Sequence, residues 1–391
     1  GLLERYPIPW KEIQGVIWGG VILPSDYANI AREIVLDMGL PPEIESLTVS
    51  RVCTSSLSAI TLAASAIERG DVDVMIAGGS DSTSNAEVKL PQSFVHKAAP
   101  VVMNSKSTVK DYFRLLASLD FKKDIIPSRP SVRERTTGEL MGESAEKMAA
   151  RNGITRKEQD LFALQSHKRA AKAIETGRFA CEMISVDTPD GKRIHTDNIV
   201  RGDTSLEKLA KLKPAFAENG TLTAGNSSSL TDGAAAVLIM NEEKAKSLGF
   251  TPLASLRSWS YGAVDPKDQL LIGPAISMPD AARKAGMTLK DIDLIDIHEA
   301  FAAQVLCVLK MIGNDKFAQN RLGMEKAFGN INPESINVHG GSISLGHPFG
   351  ATGARMVTTM ANELKLTGKS TALLGICGAG GVSAAAILEA V

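Results

Sequence analysis

Residues 54–70 read TSSLSAITLAASAIERG, and no charge interrupts the run until Glu68. Small, hydroxylic and apolar side chains occupy every face, so a helix built from this run has no solvent side and must be buried. Gly70 is placed to stop it. The short β-branched strand Thr48 to Val52 leads into Cys53 just ahead of the helix. Behind it, Asp73 to Ala77 reads as a buried strand ending in Gly78-Gly79. Strand, buried helix and strand make a βαβ unit with a parallel sheet, which excludes all-helical and all-β architectures. Gly15 to Leu23 adds a preceding strand, and Asn29 to Met38 a helix.

A related pattern returns near the C-terminus. Gly346-His347-Pro348-Phe349-Gly350-Ala351-Thr352-Gly353 opens a helix through Ala354 to Leu364. The apolar strand Ala372 to Ile376 then ends in Cys377-Gly378-Ala379-Gly380-Gly381. Two helix starts rich in Gly or Ser, each followed by an apolar strand ending in Gly-Gly, read as an internal duplication. The 391 residues suggest two or three domains. The division drawn from these patterns is 1–85 with 230–250 as one half, 251–391 as the other, and 86–229 as a loop domain between them.

Charge narrows the class further. Lys+Arg number 43 against 44 Asp+Glu, a net charge of -1. That excludes a generally basic nucleic-acid binder and an acidic disordered chain. No run of about 18 apolar residues suggests a membrane span. The chain reads as a soluble α/β globule. It begins at Gly1 without a Met, in what reads as mid-helix, so a removed leader is compatible with the sequence. One segment departs from the overall balance. From Lys97 to Arg135 there are nine Lys/Arg and four Asp/Glu, a local +5.

Several chemistries are excluded residue by residue. The four cysteines (Cys53, Cys181, Cys307, Cys377) lie far apart with no CxxC pair, so a zinc site or disulfide framework is not expected. His298-Glu299 is followed by Ala302 rather than a second His, which breaks the HExxH pattern. There is no GxSxG elbow, no GxGxxG after a strand and no GxxxxGK[ST]. What stands out is Cys53 at a strand-to-helix junction, where the macrodipole and free N–H groups favour thiolate. His347, locked between Gly and Pro at a helix start, is a candidate base. The N–H groups after Cys377 are suited to an oxyanion.

VCTSS, HEAFA, NVHGGSISLGHPFGATG and CGAGG, in this order, resemble the thiolase family, with TAGNSSSLTDGAAAV and KLKPAF between them. The HEAFA form, GHPFGATG and the insertion before Thr137 are most like the long-chain 3-ketoacyl-CoA branch of fatty-acid oxidation complexes. The resemblance implies an α/β thiolase fold of two duplicated halves in five layers (α-β-α-β-α), with an inserted loop domain. It implies CoA-dependent cleavage of 3-ketoacyl-CoA to acetyl-CoA and an acyl-CoA two carbons shorter. Cys53 matches the acylated nucleophile, His347 its activating base and Cys377 the second cysteine that moves the α-carbon proton. His298 matches the residue that holds the enolate oxygen, and the backbone N–H groups of Cys53 and Ala379 the oxyanion donors. Arg201 matches the arginine near the CoA adenine and Ser228 the serine near pantetheine. Met141 and Phe301 match residues of the acyl and pantetheine channel. CoA is then a substrate, and no metal or bound cofactor is implied.

The same resemblance implies a homodimer or larger assembly and a hydratase/dehydrogenase partner subunit. It places the chain in the mitochondrial matrix of a eukaryote, near the inner membrane, or in the cytoplasm of a bacterium. Against the family pattern, the first strand and helix, roughly 35 residues, are absent. Ala379 replaces a glycine, and His339 stands where Asn is usual. Two rivals remain open on sequence alone. A ketoacyl synthase-like condensing enzyme uses two histidines with one cysteine, and a non-catalytic acyl-CoA or lipid-binding relative would lack a catalytic residue. The basic segment with its helical stretch Lys110 to Leu119 reads either as a solvated insertion or as a contact for anionic lipid or an acidic partner.

Overall fold

The computed structural model describes residues 1–127, 132–188 and 190–391. Two compact units are present, Gly1–Thr83 with Glu134–Val391, and Ser84–Arg133. In the larger unit the chain runs through β1 (Gly15–Gly19), α1 (Ile30–Asp37), β2 (Glu45–Val49), α2 (Ser55–Glu68) and β3 (Val74–Asp81). It continues with α3 (Met141–Asn152), α4 (Arg156–Glu175) and β4 (Gly233–Met240). The C-terminal portion adds β5 (Ser255–Ala263), α5 (Pro274–Lys284), β6 (Leu294–Ile297), α6 (Ala302–Ile312), α7 (Thr352–Thr367), β7 (Thr371–Cys377) and β8 (Val382–Glu389).

Two four-stranded sheets result, ordered β2-β1-β3-β4 and β5-β8-β7-β6. In the first, β1 pairs parallel with β2 and β3 while β4 runs antiparallel to β3. In the second, β6 and β7 are parallel, and β8 is antiparallel to both β7 and β5. The duplication is visible here. α2, β3 and antiparallel β4 in one half correspond to α7, β7 and antiparallel β8 in the other. The first pair is joined by everything from 82 to 232, the second by the short Gly378–Gly381 turn.

The helix read from residues 54–70 explains the layering, although its burial is not complete: Ser55–Thr61 and Ala63 are buried, whereas Leu62 is 44% exposed. α2 and α7 pack together between the sheets, α1 covers the outer face of the first sheet, and α5 covers the second. Leu57, Ile60, Met356, Met360 and Leu364 fill the space between the sheets, together with Met75, Leu374 and Ile376. The approach of the two central helices requires glycine at 353, where a Cβ would lie 2.7 Å from Leu57 N, and β3 meets the turn before α7 so closely that a Cβ at Gly79 would lie 2.3 Å from Gly350 O. The five layers implied by the resemblance are all present.

Some boundaries differ from the sequence reading. β2 ends at Val49, four residues before Cys53, because the chain turns sharply at Val52, whose φ is 44°. Gly78 and Gly79 lie inside β3, which continues to Asp81, because β4 pairs alongside them.

In the smaller unit, helices Gln92–Val102 and Val109–Ser118 pack together. Asp111 caps the second by accepting from Thr108 N at 2.9 Å. Val109, Tyr112, Phe113 and Leu116, spaced i, i+3, i+4, i+7, are all exposed, as are Val102, Met103 and Phe121. Lys97 is paired with Asp124 at 2.7 Å. Arg129, counted in the basic segment, lies outside the described residues.

Candidate active site

Cys53 follows Val52, a β-branched residue held at φ 44°, a conformation costing about 1–3 kcal/mol that the surroundings must impose. Arg51 N donates to Ser55 Oγ at 2.8 Å and Ser55 Oγ donates to Val52 O at 2.6 Å, which ties the turn to the first turn of α2. The bend sets Cys53 half-buried at the start of α2. Phe349, two residues after His347, is also at positive φ (30°). Both reactive segments therefore carry backbone strain.

These two segments meet. His347 Nε2 lies 3.2 Å from Cys53 Sγ, and His347 Nδ1 lies 2.7 Å from Thr352 Oγ1 at the start of α7. The turn is held from behind by Asp81, a buried carboxylate at the end of β3. It accepts from Gly350 N at 2.6 Å, from Ile22 N at 2.6 Å and from Val21 N at 3.0 Å. His347 N donates to Ser229 O at 3.0 Å.

Cys377 is buried at the end of β7, near enough to Cys53 for the charge of one to oppose ionisation of the other. In the turn that follows, Gly378 N donates to Val382 O at 2.8 Å and Gly380 N to Glu134 Oε2 at 3.1 Å. The Ala379 N–H faces the Cys53 sulfur instead. Of the N–H groups read as an oxyanion site, two are thus engaged elsewhere and Ala379 points at the Cys53 sulfur. His298, 1% exposed, stacks beside His347 with ring centroids 4.1 Å apart.

Burial dominates the electrostatics. It pushes the Cys53 thiol up to about 12, although the N–H groups of Ala379 and Cys53 act the other way. It pulls His347 down to about 3, with the Arg355 charge adding to the effect. His298 is lowered and Cys377 raised for the same reason. The resting pair is a neutral thiol against a neutral imidazole. The N–H groups favour the thiolate, as expected at a helix terminus, and desolvation of the charge opposes them.

The residues matched to CoA contacts fall in two places. Arg201 lines a cavity of about 460 Å³ together with His167, Lys208, Gly225, Ser229 and Ile343. Through Ser229 this cavity adjoins the His347 backbone. Ser228, one residue away, donates its N–H to Ala300 O at 3.0 Å and does not line the cavity. Phe301 is buried edge-on against Phe216 (5.7 Å). Met141 is partly buried beside the same core. Sequence reasoning missed His167, whose Nδ1 accepts from Arg201 N at 3.1 Å. It also missed Asp81 and Glu134, whose importance arises only from contacts far away in the chain. Thr352 was visible inside GHPFGATG, five residues after His347.

A thiol paired with a buried imidazole between two duplicated halves, with a second thiol alongside, is an arrangement suited to a thiol-dependent acyl-transfer enzyme. Family models described as "Thiolase, N-terminal domain" and "Thiolase, C-terminal domain" match residues 1–243 and 250–390. The chain belongs to the thiolase family and has the thiolase fold. It is similar to the 3-ketoacyl-CoA thiolase of Pectobacterium atrosepticum, 45% identical over 390 residues, covering 99% of this chain and 89% of the relative. It is also similar to that of Escherichia coli, 43% identical over 393 residues, covering 100% and 89%. Among solved structures, the Bacillus anthracis acetyl-CoA acetyltransferase matches with a TM-score of 0.82 at 33% identity, covering 100% of this chain and 90% of that one. Human mitochondrial 3-ketoacyl-CoA thiolase in complex with CoA matches with a TM-score of 0.82 at 30% identity, covering 100% and 89%.

Proposed function

We propose that the chain is a 3-ketoacyl-CoA thiolase that cleaves 3-ketoacyl-CoA with CoA in fatty-acid β-oxidation. The observation that carries this reading is the 3.2 Å contact of His347 Nε2 with Cys53 Sγ, beside a second buried thiol. As Cys53 sulfur attacks the 3-keto carbon, its proton passes to His347 Nε2. Ala379 N–H and Cys53 N–H receive the oxyanion. The C2–C3 bond breaks, the acyl group stays on Cys53 as a thioester, and the acetyl-CoA enolate takes a proton from Cys377. His298 holds the enolate oxygen. CoA then returns its thiol proton to Cys377 and attacks the acyl group, and the Cys53 sulfur leaves with the proton kept by His347. A neutral resting pair suits this cycle, since no charge is buried before substrate arrives.

CoA is the substrate, with Arg201 beside the adenine, Ser228 near pantetheine, and Met141 and Phe301 along the channel. Release of acetyl-CoA from 3-ketoacyl-CoAs of several chain lengths, followed by loss of the 3-keto thioester, tests the reading. Absence of CoA-dependent cleavage at every length overturns it. The bacterial source of the similar curated proteins favours the cytoplasm as its location.

A second reading concerns Ser84–Arg133, and the exposed apolar stripe of helix Val109–Ser118 motivates it. Lys106, Lys110, Lys122 and Lys123 lie in the same unit, a charge pattern complementary to an anionic lipid surface. We read the unit as a peripheral membrane contact, and a hydratase/dehydrogenase partner or a second copy of the chain is the alternative occupant its test must separate.

A further inference from the structure

The two ring nitrogens of His298 have different surroundings. Nδ1 lies 2.9 Å from Ser342 Oγ, whereas Nε2 is buried without a hydrogen-bond partner among the described residues. The hydroxyl of Ser342, a fully buried residue, has one other hydrogen-bond partner among the described residues: Arg355 on α7 donates to its Oγ at 3.0 Å. A guanidinium can only donate, so Ser342 accepts from it. The hydroxyl has a single proton, and His298 Nδ1 is the remaining group that can take it. Nδ1 is then an acceptor, and burial keeps the ring neutral, so its hydrogen sits on Nε2. Arg355 is itself held in the fields of two buried carboxylates, Asp296 and Glu299.

We propose that Ser342 and Arg355 are positioning residues that lock His298 as the Nε2–H tautomer, so that it offers an N–H donor to the oxygen that gains charge during thiolysis. The opposite tautomer would face that oxygen with a lone pair and repel it. The lock is one-directional because its outermost member has no acceptor atoms. Neither residue touches the reacting atoms. This inference rests on the thiolysis reading for the identity of the oxygen, but the tautomer itself does not depend on substrate.

The test begins with the substrate-free protein carrying 15N-labelled histidine. The His298 shifts should show Nε2 protonated and Nδ1 bare, and a protonated Nδ1 overturns the proposal. Next come Ser342→Ala, which removes the relay, and Arg355→Met, which frees the Ser342 hydroxyl to turn either way. Both should blur the tautomer signature. Both should also lower kcat for carbon–carbon cleavage by about 10–10²-fold, a part of what losing an oxyanion donor outright costs. KM and acyl exchange through Cys53 should stay near wild type. Arg355→Lys keeps a cationic donor and should recover most of the loss. Unchanged kcat in both disrupting variants overturns the proposal. If Ser342→Ala fails to fold by circular dichroism, the Arg355→Met and Arg355→Lys pair decides alone. If wild type cleaves no 3-ketoacyl-CoA, the functional reading fails, and the histidine shifts still report on the tautomer.

Discussion

Asp81 offers a quantitative test of how the two halves are joined. Its carboxylate accepts from three backbone N–H groups, those of Val21, Ile22 and Gly350. The first two follow β1, and the third lies in the turn that carries His347. Asp81→Ala removes every acceptor at once. A buried donor left unpaired costs about 1–3 kcal/mol, so three would cost about 3–9 kcal/mol. The vacated space admits water, which can serve one of them and leaves two unpaired, so about 2–6 kcal/mol is expected. Asp81→Asn keeps one carbonyl oxygen but turns an NH₂ group toward the remaining donors, and should lose about 1–3 kcal/mol. Because the same carboxylate anchors Gly350, Asp81→Ala should also let His347 drift from Cys53 and reduce kcat about 10-fold or more. Urea unfolding followed by circular dichroism, with thiolysis measured on the same preparations, reads both effects. Should Asp81→Ala cost less than about 1 kcal/mol, or Asp81→Asn cost as much as Asp81→Ala, the clamp argument is wrong.

Cys53→Ala should abolish the acyl adduct seen by mass spectrometry, and an adduct on Cys377 in the wild type would reverse the assigned roles. Cys377→Ser should slow carbon–carbon cleavage by about 10²–10⁴-fold while sparing acyl exchange, and equal losses in both would make Cys377 structural. His347 is depressed to about 3 and His167 to about 4, both by burial. Between those values and about 6.5 the unfolded chain binds more protons, so their stabilisation is complete above pH 6.5 and is lost as pH falls, by up to about 1.4 kcal/mol per unit for each group. His347→Asn should therefore flatten the acid limb of the Tm–pH curve, and an unchanged slope refutes the assignment. Changing Lys106, Lys110, Lys122 and Lys123 to Glu should abolish sedimentation with anionic vesicles, at about 1 kcal/mol per charge, and leave cleavage of a short substrate intact. Wild type that stays in the supernatant at low salt defeats the membrane reading, whatever partner or self-association is found instead.

What could be read in the sequence divides along a physical line. Periodicity and composition are local, so α2, the strands around it and the repeat in α7–β7 were legible from residues 48–79 and 346–381 alone. The charged members of the site were not, because they work at a distance. Asp81 acts on Gly350, Glu134 on Gly380, and Arg355 on His298 through Ser342. In a sequence each is an ordinary charged residue, and only folding gives it its distant partners. The burial that opposes a thiolate at Cys53 was hidden for a related reason. A helix terminus is visible in sequence and favours the anion by a fraction of a charge, whereas the desolvation that opposes it depends on β7, the 378–381 turn and the His347 segment closing around the sulfur. Motif order locates a reactive residue, but its protonation state belongs to the assembled fold. At Cys53 the fold sets burial, which opposes the charge, against the N–H groups that favour it.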